Sequence, residues 1–395
     1  MARAPIRAQR TIDRAALAGI AVTFVSASLL LALDPVQVVR RAAPVAPLPA
    51  PAPAASPRVA ADSPLRRPSL PSQAWSVVSD GRSVAYVRAT DDERSEIVVR
   101  SLRSDDRARA GGGSEADADA RASAGTRSVP DWRVAYRAPE GSYVGQLAFA
   151  ADALLFEEVA TGPGGPEEIT LRLLRVSSGA RTVLDRYVPL DFSAGEGGGF
   201  TSALPQLDGR RAAWARQVAE RGAVTNELRV VDLETGASAV VFRRAKLVTA
   251  LALWRDRLAF SLLGTDGRSS SHLLDLGSGT ARELDGFASS FVHSIGPRGV
   301  VVTGAESRDE PAAAWLVGYG GGRTRLGAQC SAYLFTERVF ASRCGDRIEV
   351  KDLASGGALI EVAPDAGTLA VTVDGVLWSE GSELVWYELP AEAAR

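Results

Sequence analysis

Seven times along the chain a short polar turn separates two apolar, β-prone runs. The turns are Asp80-Gly81-Arg82, Ala151-Asp152, Asp208-Gly209-Arg210, Arg255-Asp256-Arg257, Pro297-Arg298-Gly299, Glu337-Arg338 and Asp374-Gly375. Strand-like runs follow them, such as Ser83-Val84-Ala85-Tyr86, Ala153-Leu154-Leu155-Phe156 and Val376-Leu377-Trp378. A second motif recurs between them: Val231-Asp232-Leu233-Glu234-Thr235-Gly236, Leu274-Asp275-Leu276-Gly277-Ser278-Gly279 and Lys351-Asp352-Leu353-Ala354-Ser355-Gly356, with a looser copy at Leu174–Gly179. Its Gly supplies the positive φ of a tight hairpin, and Asp with Ser or Thr bonds the turn backbone. Each unit therefore reads strand A, polar turn, strand B, loop, strand C, Gly turn, strand D. That is one four-stranded blade, and the period is that of a β-propeller.

The blades fall near 74–139, 142–190, 200–245, 246–286, 288–327, 328–364 and 366–390. The expected fold is all-β, a seven-bladed propeller, with six blades as the alternative. The last unit stops after strand C. Residues just before Trp75 are expected to supply its outer strand; Pro64, Pro68 and Pro71 there are tolerated only at an edge. Residues 104–130, rich in Gly, Ala, Asp and Arg, interrupt the first blade as a disordered loop or a partner-binding one.

The N-terminus carries Arg3, Arg7, Arg10 and Arg14, then no charge from Ala15 to Leu33. As a helix, those residues span about 28 Å, close to a bilayer core of about 30 Å. The basic flank precedes the segment, so residues 1–14 are expected in the cytoplasm, 15–33 as a transmembrane signal anchor, and the rest outside. A cleaved signal peptide followed by secretion is the rival reading. Residues 34–73 hold ten prolines and no aromatic residue. They read as a disordered, extended linker. Residues 74–390 are the propeller.

Composition narrows the partners. Lys+Arg 45 against Asp+Glu 47 leaves a net charge of -2, so no basic field exists to hold nucleic acid. Nearly all the cations are Arg, an association with GC-rich bacterial codon usage. Two His and two Cys are too few for a multi-ligand metal cluster. If Thr336-Glu337-Arg338 is a hairpin loop, Phe335 faces Val339 and the same register sets Cys330 opposite Cys344. Opposed β-carbons lie about 4.5–5.5 Å apart, within reach of a bridge. A structural disulfide is expected in an oxidising compartment.

Ser79-Asp80-Gly81-Arg82-Ser83-Val84-Ala85-Tyr86 resembles the WD40-like repeat of TolB-type propellers, strongly in the first unit and weakly elsewhere up to about residue 390. The Asp-Leu-x-Thr/Ser-Gly hairpins also resemble turns of quinoprotein-like repeats. No Trp-Asp or Gly-His dipeptide of a true WD40 repeat is present. The resemblance implies a periplasmic or extracellular scaffold that binds proteins or small ligands on one face. It carries no catalytic residue to this chain.

Candidate chemistry is sparse. His293 alternates with Phe291 and Ile295 on a channel-lining strand, and His272 shares a strand face with Leu274 and Leu276; both read as packed, hydrogen-bonded histidines. Asp91-Asp92-Glu93, Glu167-Glu168 and Asp309-Glu310 read as solvated loop charge on the face shared by the B–C and D–A loops. The seven Trp (75, 132, 214, 254, 315, 378 and 386) read as blade packing. The combined expectation is a monomeric, membrane-anchored, extracytoplasmic propeller of a bacterial envelope. It has no catalytic residue, cofactor or metal, and binds an envelope protein or a small ligand. The alternative is a propeller enzyme or cofactor protein (lyase, glycosidase or quinone-dependent oxidoreductase) working at the channel mouth.

Overall fold

The computed structural model describes residues 74–389, apart from 81, 91–93, 102–131, 163–164, 189–203, 221–222, 265, 329, 331, 337–338, 345–346, 354–357, 363–365, 372–374 and 381–382. All regular structure in these residues is antiparallel β-sheet. The first sheet is β1 (Ala74–Ser79), β2 (Ser83–Ala89), β3 (Ser95–Ser101) and β4 (Trp132–Arg137). The second is β5 (Ser142–Ala150), β6 (Ala153–Gly162), β7 (Gly165–Arg175) and β8 (Arg181–Tyr187). The third is β9 (Gln206–Leu207), β10 (Arg211–Glu220), β11 (Ala223–Asp232) and β12 (Ser238–Arg244). The fourth is β13 (Leu247–Trp254), β14 (Arg257–Leu263), β15 (Ser269–Asp275) and β16 (Thr280–Glu283). The fifth is β17 (Ser289–Gly296), β18 (Gly299–Ala305), β19 (Ala313–Val317) and β20 (Arg323–Ala328). The sixth is β21 (Ala332–Phe335), β22 (Val339–Cys344), β23 (Arg347–Asp352) and β24 (Ala358–Val362). The last sheet is β25 (Ala366–Val371), β26 (Gly375–Glu380) and β27 (Glu383–Glu388).

Each sheet is a plain meander, paired in chain order from its first strand to its last. First strands of successive sheets are neighbours, and β25 returns to β1. The sheets therefore stand radially around an axis, and the chain is a multi-bladed β-propeller. Six blades are complete among the described residues, against seven expected; the last sheet has three strands there. Residues before Ala74, where its fourth strand was expected, lie outside the described residues, as does the 104–130 insertion. No helix of the described residues is long and apolar enough to cross a membrane, and the 15–33 segment is not among them.

Packing explains why the second strand of each sheet is apolar at consecutive positions. Both of its faces are covered, so period-two alternation disappears. In β2, Ala85 and Val87 pack toward the second sheet while Val84 and Tyr86 pack toward the last one. In β14, Leu258, Phe260 and Leu262 face the third sheet and Ala259 faces the fifth. The outer strands are the reverse: β12 is largely exposed.

The recurrent turns form as their residues dictate. Asp80 Oδ1 accepts the amides of Arg82 (2.9 Å) and Ser83 (2.8 Å), and Asp208 repeats this with Arg210 (3.1 Å) and Arg211 (2.8 Å). In the hairpin after β11, Asp232 accepts the amides of Glu234 and Thr235 (3.0 Å each), and Gly236 at φ 73° donates to the Asp232 carbonyl. The Thr235 amide above all, then Arg210 and the Glu234 amide, hold the half-buried Asp232 carboxyl down at about 2.

Bulges recur at two radii. Most outer strands carry one: the extra residues are Ala135, Leu184, Val241, Leu326 and, in backbone terms, residue 359. A bulge twists the strand and spoils it as a template for another chain, which protects an edge that would otherwise be open. Inner strands carry a second set, described below.

Cys330 and Cys344 form a disulfide, with Cα atoms 4.5 Å apart. The expected pairing holds, but the register behind it is corrected by one residue. Phe335 pairs with Phe340, which on the ladder would set position 330 opposite 345. Cys330 lies before β21 begins at Ala332, so it is free of the ladder and reaches Cys344 directly. The bond closes a short loop (sequence separation 14), so reduction or Cys330→Ser should lower the unfolding free energy by about 3 kcal/mol. Urea denaturation with and without dithiothreitol measures this, and coincident midpoints would contradict it.

Candidate functional site at the D–A mouth

The meander puts all A–B and C–D turns at one end of the propeller and all B–C and D–A connections at the other. Each inner strand starts at the D–A end, and five of the seven carry a bulge. The extra residues are Ser76 and Val77 in β1, Gly145 and Gln146 in β5, Thr249 in β13, His293 in β17 and positions 367–368 in β25. An inner strand borders the axis, and a bulge re-aims its side chains. Ser76, Gln146, Thr249 and His293 are all partly exposed. Together they define a collar of uncharged polar residues around the axis at the D–A end, with the Thr249 Oγ1 itself buried. Ser76 Oγ donates to the Gly145 carbonyl across the first seam (3.4 Å), joining the bulges of β1 and β5.

The bulges are anchored by buried hydroxyls of the preceding sheet. Val144 donates its amide to Ser95 Oγ (2.6 Å), and Val292 donates to Ser261 Oγ (2.7 Å). Both amides belong to the residue just before a bulge, where the ladder is disrupted. At Gly145 the requirement is steric: a β-carbon would collide with the Glu157 carboxylate, which accepts the Gln146 amide (3.2 Å).

The third sheet departs from this plan. Its inner strand, β9, is two residues long, after Leu204 at φ 50° and the buried Pro205. A left-handed residue followed by one without an N–H ends the ladder. A polar group of side chains lies in the seam beside it. Asp185 accepts Trp214 Nε1 (2.8 Å) and Arg216 Nη1 (2.9 Å), and the Arg216 guanidinium lies 5.7 Å from the Tyr187 ring centre. Burial, then the nearby Glu157, pushes the Tyr143 hydroxyl up to about 12. Burial raises Tyr187 as well, with Glu157 and Asp185 adding to it against Arg216.

Carboxylates at this end are held by guanidinium groups. Glu96, with a side chain only 1% exposed, is bridged by Arg88 (2.8 Å) and Arg137 (2.5 Å) from the strands on either side. In the third sheet Glu227 is bridged by Arg243 and Arg229. Glu158 is held by Arg172 at 2.7 Å. None of these pairs was anticipated from sequence. Their signal was a Glu inside an otherwise apolar strand, with Arg at the matching rung of the next strand for Glu96 and Glu227 and two residues off it for Glu158.

The residues anticipated from sequence are not brought together. His293 Nε2 is 2.7 Å from Thr303 Oγ1, and its ring sits edge-on to Phe291 (5.3 Å). Burial depresses its pKa to about 4. His272 Nε2 is 2.9 Å from Ser270 Oγ, and its ring stacks on Phe260 (5.3 Å). Burial also lowers its pKa, helped by Lys246 and Arg244 and opposed by Glu283. Of the acidic loops, 91–93 and Glu167 lie outside the residues whose side chains are described; Glu168 pairs with Arg186 (3.3 Å), and Asp309 and Glu310 are exposed. Trp214, Trp378 and Trp386 are buried. Trp254 stacks on Tyr319 and Trp315 meets Phe287 edge-on. Trp132 is the exposed one, with Arg88 over its ring. Nothing is described of the Trp75 side chain. Among the described residues no three His, Cys, Asp or Glu are placed to hold a metal ion.

Comparison with known proteins agrees with this architecture and goes no further. No protein-family model and no curated protein sequence matches the chain. Among solved structures, an oligogalacturonate lyase in complex with manganese is 12% identical, with TM-score 0.51 over 80% of this chain and 88% of that one. A structure from a study of two prolyl endopeptidases is 14% identical, with TM-score 0.53 over 78% of this chain and 45% of that one. TolB from Acinetobacter baumannii is matched over 63% of this chain and 80% of that one, at 12% identity and TM-score 0.35. At such identities the likeness is one of fold alone: the protein is a β-propeller, the class to which TolB also belongs.

His293 makes the pH dependence calculable in sign. Its folded pKa of about 4 lies below the ordinary histidine value of 6.5, so the unfolded chain binds the proton more tightly. The stability it confers is complete above pH 6.5 and is lost as pH falls toward 4. His293→Gln should flatten the thermal-stability profile between those values, as read by melting temperature. An unchanged slope would refute the assignment.

Proposed function

We propose that this protein is a non-catalytic binding propeller of a bacterial envelope, held to the membrane by residues 15–33 and spaced from it by the Pro/Ala linker 34–73. The supporting observation is the state of the charges at the D–A end. Glu96, Glu158, Glu227 and Asp185 each neutralise an arginine and are fixed by it. A carboxylate so held is a poor general acid or base. Ser76 and Gln146, partly exposed at the collar, offer hydrogen bonds without charge, which suits recognition.

In this reading the last sheet is a seventh blade, closed by a strand from just before Trp75. The chain enters every later inner strand from the outer strand of the preceding sheet. A strand immediately before β1 would occupy that place at the outer edge of β27.

The test uses the soluble fragment from about Ser72 onward and the full chain. The fragment should capture an envelope protein or a small ligand from envelope extract. The full chain should stay with membranes through an alkaline wash, with its propeller open to protease in spheroplasts. Turnover of an added substrate, or a full chain recovered in the soluble cytosolic fraction, would defeat the proposal.

A further inference from the structure

Among the described residues, no other seam is edged by so many partly exposed aromatic rings as the one between the fourth and fifth sheets. Trp254, Phe287, Phe291, Trp315 and Tyr319 border its core. Two of them meet at its turn end. Trp254 closes β13, and Tyr319 stands in the connection between β19 and β20. Where the third and fourth sheets have Asp-Leu-x-Ser/Thr-Gly hairpins, this connection reads Gly318-Tyr319-Gly320-Gly321. Tyr319 is fixed there at two points: its hydroxyl donates to the Gly296 carbonyl, and its own carbonyl accepts Arg282 Nη2 (2.9 Å). Its ring stacks on Trp254, with centres 6.2 Å apart and planes 13° from parallel.

Guanidinium groups cover both rings. Arg257 lies 3.7 Å from the Tyr319 ring centre, and the exposed Arg255 lies 4.7 Å from that of Trp254. Carboxylates of the same turns are committed elsewhere. Asp256 pairs with Arg211 of the third sheet (2.7 Å), and Asp275 accepts the amide (2.8 Å) and the hydroxyl (3.1 Å) of Ser278. Those Ser278 contacts lower the Asp275 pKa most, and Arg257 adds to them only through space. Among the described residues, neither Arg257 nor Arg282 has a carboxylate within ion-pair distance.

A guanidinium lying flat on a ring keeps its N–H edge open, and that edge matches a carboxylate. Trp, Tyr and Arg are also the residues that dominate protein–protein hot spots. We propose that the turn end of this seam, built from Trp254, Arg255, Arg257, Arg282 and Tyr319, docks an acidic segment of a partner protein. This deepens the binding reading above and rests on it, while placing the contact at the end opposite the collar. A long polyanion is a poorer fit. Such a ligand needs a track of cations, and toward the third sheet Arg210 and Arg211 are already matched by Asp232 and Asp256. The patch has room for a few carboxylates on one short stretch of chain.

Phage display of short random peptides against the full chain in detergent micelles tests this. The enriched peptides, resynthesised, should be rich in Asp and Glu, and fluorescence anisotropy should show binding that weakens as salt rises. Arg255→Gln and Arg257→Gln should each weaken it about tenfold, the loss of about one charge-assisted hydrogen bond. Arg210→Gln, at the same end of the third sheet, should leave it unchanged. Melting temperature checks folding, and the exposed Arg255 keeps the test usable should Arg257→Gln misfold. No enrichment, enrichment without acidic bias, binding that both substitutions leave unchanged, or tighter binding of dextran sulfate through the same arginines would overturn the proposal. Should the chain still capture an envelope protein or a small ligand with both arginines replaced, the binding reading stands and this proposal falls.

Discussion

Everything in this fold depends on both faces of each sheet being buried against the next sheet around the ring. A sheet with one wet face tolerates polar side chains at every second position. Here the second strand of each sheet cannot. Val84 to Val87 are buried in succession, two toward the first seam and two toward the last. The hydrophobic effect acts twice on such a strand, once per seam. The seam between the last sheet and the first, built on Val77, Val84, Tyr86, Leu377 and Trp386, makes the arrangement circular. No sheet could stand alone with that pattern, because one apolar face would remain in water.

A circular stack of twisted sheets leaves two sets of strand edges, one at the axis and one at the rim. The chain bends both. Rim strands carry bulges whose extra residues turn back onto the seams, as Ala135, Leu184 and Val241 do. Axial bulges expose side chains to the channel, and the amides just before two of them are satisfied by Ser95 and Ser261 of the preceding sheet. The same device thus protects the outside and equips the inside.

Charge is handled by pairing at close range. Glu96 and Glu227 occupy equivalent places on the third strand of their sheets, each with an arginine on the neighbouring rung. Buried pairs of this sort add little net stability over apolar residues but are costly to break. Among the described residues, the buried carboxylates Glu96, Glu158, Glu227 and Asp185 at the D–A end are paired in this way, while loop residues such as Asp309 and Glu310 are exposed. The sheet with the shortened inner strand carries Arg216 Nε and both ends of Gln217 buried without partners, and buried hydroxyls without partners lie on the second, fourth and fifth sheets as well.

The repeat itself was legible because it rests on local chemistry. Asp80, Asp208, Asp232 and Asp275 bond the amides two or three residues ahead of them, so their turns need no distant partner. The Cys330–Cys344 pairing was legible too, although Cys330 reaches it from outside the ladder. Reading a three-residue loop where four residues separate Phe335 from Phe340 displaced that register by one. The collar was not legible, because a bulge shows only when two strands are laid side by side. His293 looked like one member of an alternating row and is the residue that interrupts it. The buried, unpartnered state of Gln217 was hidden for the same reason, since it depends on what neighbouring strands and sheets bring to it. By itself the sequence determined strand order, turn chemistry and the apolar character of each seam, all set within a few residues. Only the tertiary structure decided which polar groups share a space at the mouth, because that depends on contacts between sheets far apart along the chain.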